Sequence, residues 1–349
     1  MTQSVEDRSR VPILPDVGGT QAAAPSTARK IWKAISPRRV SAIYLAAILF
    51  AYFTYRLPDL FLEPRTWTTL LSQQSIAVIV ALGVLIPVAA GVFDVSVAYT
   101  MGLTSTVMTL LIVEHNTPWG LAAVLVIVIG AVAGLVNAFV ISILKVNSLI
   151  ATLGTGMVIA AIDLALSSGE SRPILNTSFT DLGTNRFLQL TWPVYAALAV
   201  AAITWYLLEH TAPGRRTYAI GGSAPAARLA GIPVRRYIAV TLMCAGVLGA
   251  VAGILLTARI GANTPGVGQS YVLPGFAAVF LGATQFKDGR MNAWGTVVAI
   301  LALAVGTKGF DLIGVKLWIH DLFYGVALIV AMAMSVWSKR SSIEPNGLP

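Results

Sequence analysis

Five polar residues stand in or beside otherwise apolar stretches: Asp94 and Ser96 in Gly91-Val-Phe-Asp-Val-Ser96, Asn137, and the Thr152/Thr155 pair of Thr152-Leu-Gly-Thr155. A carboxylate facing lipid costs about 3 kcal/mol, so Asp94 must face protein, water or a helix end. Asp94 with Ser96 two residues on fits a helix start, the acid lying beside the positive end of the dipole. Spacing alone slightly favours this capping role over a broken helix that lines a solute path. Asn137, Thr152 and Thr155 offer donors and acceptors without fixed charge. Such groups commonly bond a neighbouring membrane helix, and they also suit a hydroxylated solute in transit. Asp163, further along the segment that carries Thr155, is interfacial or paired.

A second constellation lies between long hydrophobic segments, in the arginine-rich 210–237 connection. Its centre reads as a short capped helix over 224–231. Ser223 is the N-cap, Ala224 and Pro225 open the first turn, Gly231 stops the helix and Pro233 follows. Ala226, Leu229 and Ala230 fall on one face, with Ala227 and Arg228 completing the turn. A membrane protein that builds a rigid helix outside the lipid offers it to a partner.

Other chemistry is missing. The chain has no phosphate-binding glycine loop, no nucleotide fingerprint, no paired-histidine zinc motif and no serine elbow. Its three histidines are far apart, and Cys244 is its only cysteine, so neither an intrachain disulfide nor a Cys/His metal cluster is expected. Buried acid–base chains of the kind that drive ion-coupled pumps are nearly absent.

The elements that must position these residues are membrane helices. Apolar residues make up 56% of the chain and charged residues 11%, a balance that excludes a soluble domain of 349 residues. Ten hydrophobic segments long enough to cross a bilayer run near 40–56, 68–90, 94–113, 119–142, 148–168, 190–208, 238–259, 271–286, 293–309 and 319–337. The second, third, eighth and ninth could be short or broken. With both termini in the cytoplasm, the inside connections hold Lys145, the 210–237 arginines, Lys287 and Arg290, as the positive-inside rule asks. The formal net charge of +9 therefore needs no nucleic acid partner. Trp67, Trp119, Trp192, Trp294 and Trp318 open segments at headgroup level, and Trp205 and Trp337 sit near segment ends. Glycine and alanine crowd Gly130-Ala-Val-Ala-Gly134 and the run from Gly246 to Gly253, which lets backbones approach closely. Gly282 to Arg290 reads as a tight turn with solvated charges. Residues 1–39 read as a disordered tail ahead of an uncleaved first span, 40–338 as the transmembrane domain, and 339–349 as a second tail.

On these residues a resemblance can be stated. Tyr218-Ala-Ile-Gly-Gly-Ser-Ala-Pro-Ala-Ala-Arg228-Leu-Ala-Gly-Ile-Pro-Val234 resembles the cytoplasmic loop of permease subunits from bacterial ABC importers of the ribose and xylose type. Leu255-Leu-Thr-Ala-Arg259, Trp294-Gly-Thr296, Phe93-Asp-Val-Ser96 and Ser148-Leu-Ile-Ala-Thr-Leu-Gly154 are similar to it as well, over roughly 68–337. The resemblance implies an all-α polytopic permease of the bacterial inner membrane that works as a homodimer. A cytoplasmic ATP-binding subunit, which holds ATP and Mg, would dock on 223–231, and a periplasmic or lipid-anchored binding protein would deliver the solute. The chain itself then needs no cofactor and is not an enzyme. Asp94, Ser96, Asn137, Thr152 and Thr155 become candidates for the translocation path of a small neutral hydroxylated solute, a monosaccharide or related polyol. The chain departs from the family where Val92-Phe93 replaces the usual Gly-Ile, where Phe286 to Met291 replaces a glycine-rich turn, and where Ile162-Asp163 stands near a usual arginine, so the solute stays open. An ion-coupled secondary transporter and an integral membrane enzyme are the alternatives. The first lacks a titratable cluster and the second a nucleophile, base or metal constellation.

Overall fold

The computed structural model describes residues 41–287 and 289–341; the expected tail 1–39 and residues 342–349 of the second tail lie outside these, as do the side chains beyond 334, Trp337 among them. Ten helices fall on the ten expected segments: α1 (Ser41–Arg56), α3 (Pro64–Ala89), α4 (Ser96–Val113), α5 (Trp119–Ser142), α6 (Ser148–Ser167), α8 (Trp192–His210), α11 (Val234–Ile260), α12 (Gln269–Ala283), α13 (Ala293–Ile313) and α14 (Trp318–Ser341). Among the described residues, seven of these are long and apolar enough to cross a membrane. The exceptions are α1, α12 and the apolar part of α14, Trp318–Met334. Of the four segments expected to be short or broken, α12 alone falls short.

Local chemistry sets the helix ends. Pro87 occupies the last turn of α3, and Gly91 follows at φ +76° while Val92 N–H donates back to the Pro87 carbonyl (3.0 Å). Only glycine adopts that φ without strain, so the chain turns there before α4 starts. Asn147 caps α6 by accepting from Leu149 N–H (3.0 Å), and Asn292 caps α13 through Gly295 N–H (2.6 Å).

At the centre, α11 packs on α3, α4 and α5. A methyl group at Gly246 would collide with the Gly130 carbonyl, and one at Gly134 with the Leu242 carbonyl, so α5 and α11 touch backbone to backbone as the small-residue runs predict. α3 and α4 bury most of their length, whereas α5 and α6 leave Leu121, Val124, Val128, Leu153 and Val158 exposed. Those faces suit lipid. A smaller aromatic cluster gathers Phe53, Phe61 at the end of the short helix α2 (Pro58–Phe61), and Trp67, with Trp67 Nε1 donating to the Phe61 carbonyl (2.8 Å).

Between α6 and α8 come α7 (Thr177–Thr184) and the two-residue strands β1 (Arg186–Phe187) and β2 (Leu190–Thr191), paired antiparallel around Leu188 and Gln189 in left-handed backbone. Two local expectations need correction. The 210–237 connection holds two helices, α9 (Ala212–Gly222) and α10 (Ala224–Leu229), rather than one. The turn before α13 is not simply solvated. Lys287 pairs with Glu209 (2.5 Å) and Arg290 lies 3.8 Å over the Tyr218 ring.

Candidate coupling surface and translocation cluster

The connections divide between two ends of the bundle. One end gathers the α3–α4 break, α9, α10 and the α12–α13 turn, and carries the loop arginines; the other gathers 169–176 and 261–268.

At the arginine-bearing end, Thr211 caps α9 by accepting from Gly214 N–H (3.3 Å). Gly221 brings α9 onto the end of α3, where a Cβ would strike the Ala89 carbonyl. Tyr218 fixes the other flank, its hydroxyl donating to the Met291 carbonyl (2.6 Å). Burial under Arg290 pushes the Tyr218 phenol up to about 12, because loss of water disfavours the phenolate more than the guanidinium favours it.

α10 then stands on α9. Ser223 Oγ accepts from Ala226 N–H (3.3 Å), Pro225 lies in the first turn and Gly231 closes the helix at φ +80°. The helix stops at Leu229, two residues short of the expected 231. Ala227 turns inward against Ile220 and Val234 and anchors the helix. Ala226, Arg228, Leu229 and Ala230 are exposed, Leu229 by 91%. Arg228, Arg235 and Arg236 line a recess of about 410 Å³ beside this ridge, and Arg216 Nη1 donates to the Tyr237 hydroxyl (3.0 Å). The surface is apolar at its crest and cationic at its rim, which suits an acidic-rimmed groove on another protein.

Just inside the bundle, the structure brings all five polar candidates together. Asp94 Oδ1 accepts from Ser96 N–H (3.0 Å) and Ser96 Oγ (2.7 Å). Asn137 Nδ2 donates to Ser96 Oγ (2.6 Å), and at 3.5 Å to Asp94 Oδ1. Thr155 Oγ1 donates to Asn137 Oδ1 (2.5 Å). Thr152 Oγ1 accepts from Val95 N–H (3.2 Å), while Ser148 Oγ accepts from Phe93 N–H (3.2 Å). The break between α3 and α4 is thus stapled to α5 and α6. Val95, not Asp94, holds the N-cap position of α4 and makes no side-chain cap; Asp94 binds the first N–H of the helix from one residue further out and is the hub of the cluster. Its Oδ2 is buried with no partner among the described residues.

Asp163 lies in the other half of α6. Thr106 Oγ1 donates to its Oδ1 (2.6 Å) and Gly266 N–H to its Oδ2 (2.9 Å), so it ties the 261–268 connection to α4. At that end Arg172 pairs with Glu114, and Arg172 N–H donates to Asn263 Oδ1 (2.7 Å). His320 pairs with Asp311 (2.9 Å). Sequence reading missed a polar cavity there, between Gln73, Gln74, Arg259 and Tyr271. Its residues come from four helices far apart in sequence, so no single stretch shows them together.

With this geometry described, likeness to known proteins can be read. A family model described as the permease component of branched-chain amino acid transport systems matches residues 66–332. The ribose import permease RbsC of Bacillus subtilis is 33% identical over 280 residues, 78% of this chain and 85% of that protein. The L-arabinose ABC transporter permease AraH of Azospirillum brasilense is 28% identical over 342 residues, 97% of this chain and 98% of its own. The D-allose transport system permease AlsC of Escherichia coli is 26% identical over 291 residues, 83% of this chain and 89% of its own. No solved structure matches. The match over most of the chain, on a helical bundle with seven apolar membrane-length helices, makes this protein a member of that transport permease family and a multi-pass inner-membrane protein.

Proposed function

We propose that the chain is the permease subunit of an ABC importer that carries a monosaccharide across the inner membrane. Support comes from its likeness, over most of its length, to permeases named for ribose, L-arabinose and D-allose. In this reading all ten long helices span or enter the membrane, the arginine-bearing end is cytoplasmic, and both termini lie on that side. Two copies form the working permease, a binding protein delivers sugar at the opposite end, and a soluble subunit holds ATP and Mg.

The observation that carries the mechanical part is the capped ridge of α10 with Leu229 held out into solvent. Burying one leucine stabilises an interface by about 1.5–3 kcal/mol. The ATP-binding subunit takes 223–231 into a groove, with Arg228 at the rim. Because Ala227 roots α10 and Gly221 seats α9 on α3, closure of two ATP-binding subunits moves these elements as rigid pieces. The Asp94, Ser96, Asn137, Thr152 and Thr155 cluster closes the cytoplasmic end of the path.

The test is Arg228→Glu with Leu229→Asp. Both side chains are exposed, so the bundle inserts and folds normally, while copurification with the ATP-binding subunit is lost. A complex that still assembles and hydrolyses ATP in response to the binding protein would refute the docking role. Uptake that survives ATP depletion but collapses with an uncoupler would establish the ion-coupled alternative.

A further inference from the structure

The Asp94 cluster uses nearly all its donors and acceptors on itself. A second polar group of residues does the opposite. In the half of the bundle away from α10, helices α3, α11, α12 and α14 form an open cleft of about 260 Å³ lined by Gln73, Gln74, Arg259, Ser270, Tyr271 and Tyr324. Among the described residues, Gln73, Gln74, Ser270 and Tyr271 make no side-chain hydrogen bond, and Arg259 has neither a hydrogen bond nor an ion pair although its Nε is buried. Among the described residues, no carboxylate lines the cleft.

Gln73 and Ser270 are exposed and Gln74, Tyr271 and Tyr324 half-buried, so water reaches them; Arg259 Nε is the atom of the set that is both buried and unpartnered, which costs about 1–3 kcal/mol, and more for a cation. In an open cleft water supplies the partners at rest, and a hydroxylated solute that enters can take its place. The volume is close to the lower end of ligand-sized cavities, about 300 Å³, which suits a single sugar ring. The donor set suits one too. A planar guanidinium gives two parallel N–H bonds to neighbouring oxygens, and carboxamides both donate and accept. The phenol rings of Tyr271 and Tyr324 present apolar faces to the C–H face of a ring, and their hydroxyls add polar contacts. The lack of a carboxylate argues against a cation.

We infer that this cleft is the station at which the bundle holds its monosaccharide after delivery and before passage toward the Asp94 cluster. Arg259 engages two oxygens on neighbouring ring atoms, and Gln73, Gln74 and Tyr271 select among hydroxyl orientations. This assignment rests on the permease reading above and adds the residues that set sugar preference.

The assay uses the complete importer in proteoliposomes, with uptake of radiolabelled D-ribose, L-arabinose and D-allose measured separately. Arg259→Gln, Arg259→Lys, Gln74→Leu and Tyr271→Phe are compared with the wild type, each after it is shown to copurify with the ATP-binding subunit. Arg259→Gln is expected to lower sugar moved per ATP hydrolysed at least tenfold, with Arg259→Lys recovering part of it. Gln74→Leu and Tyr271→Phe are expected to change the ranking of the three sugars. Unchanged rates and ranking across the four variants would overturn the cavity assignment and leave the permease reading standing. A wild-type importer that moves none of the three would overturn the sugar reading itself. A second readout does not depend on turnover. In a Cys244→Ser background, Gln74→Cys is expected to react with a charged thiol reagent at least fivefold more slowly when the transported sugar is present, and absence of protection counts against the site.

Discussion

Asn137 is the residue through which α5 joins the α3–α4 break, and its replacement has a calculable effect. In Asn137→Ala the cluster loses the bond to Ser96 Oγ (2.6 Å), the bond from Thr155 Oγ1 (2.5 Å) and the long contact to Asp94 Oδ1 (3.5 Å). Its partners are not stranded: Ser96 Oγ still donates to Asp94, and Thr155 Oγ1 still reaches the Ala151 carbonyl (3.0 Å). Two good bonds at about 0.6 kcal/mol each in a membrane bundle, plus a small void, give a loss of about 1–3 kcal/mol. Asn137→Asp is nearly isosteric but places a second carboxylate about where the amide sits, against Asp94 in a dry interior. Like charges at that range destabilise more than loss of the amide does, so this variant falls below Asn137→Ala. The exchange Asp94→Asn with Asn137→Asp returns one acid and one amide to the pair and recovers at least about 1 kcal/mol relative to Asn137→Asp alone. Thermal unfolding of the purified chain in detergent, followed by tryptophan fluorescence, orders the four proteins. The reasoning fails if Asn137→Asp is as stable as wild type, or if the exchange gives no recovery.

Further outcomes follow from other contacts. Gly246→Leu drives a side chain into the Gly130 carbonyl and should leave little folded protein by size-exclusion chromatography, whereas Gly275→Ala, whose new Cβ would find its nearest neighbour at 3.7 Å, stays within about 1 kcal/mol of wild type. Ser223→Ala removes the α10 cap and costs that helix about 1 kcal/mol, seen as faster amide exchange over 226–230, with Ser223→Asp restoring protection. Tyr218 titrates near 12 in the folded chain against 10.0 unperturbed, so its contribution is complete below pH 10 and is lost as pH rises from 10 toward 12. The difference in phenolate absorption between wild type and Tyr218→Phe should therefore show a midpoint well above that of exposed tyrosines.

The helices were legible because a bilayer demands long apolar runs, and polar exceptions such as Asp94 and Asn137 stand out against them. The same contrast marked the five clustered residues, although which of them bond each other depends on helix rotation that spacing does not give. α9 escaped notice because it is short and polar, carries Pro213 and ends on Gly221-Gly222, all of which resemble a loop. Spacing groups Ala226, Leu229 and Ala230 on one face, and that face is the exposed one, whereas the inward turn of Ala227 depends on packing against Ile220 and Val234. The Arg259 cavity was illegible since its walls come from positions 73 to 324, joined only by tertiary packing. Lys287 and Arg290 looked solvated because their partners, Glu209 and Tyr218, lie in another connection.

The seat of α9 on α3 has one more implication. Where Gly221 meets Ala89 and Gly91, main chain rests on main chain with no flexible group between them. Such a joint has no cushion, so a tilt given to one member reaches the other undiminished. Even a single added methyl at that point would lie well inside contact distance of the Ala89 carbonyl oxygen, so main chain itself would have to give way and the seat would be lost.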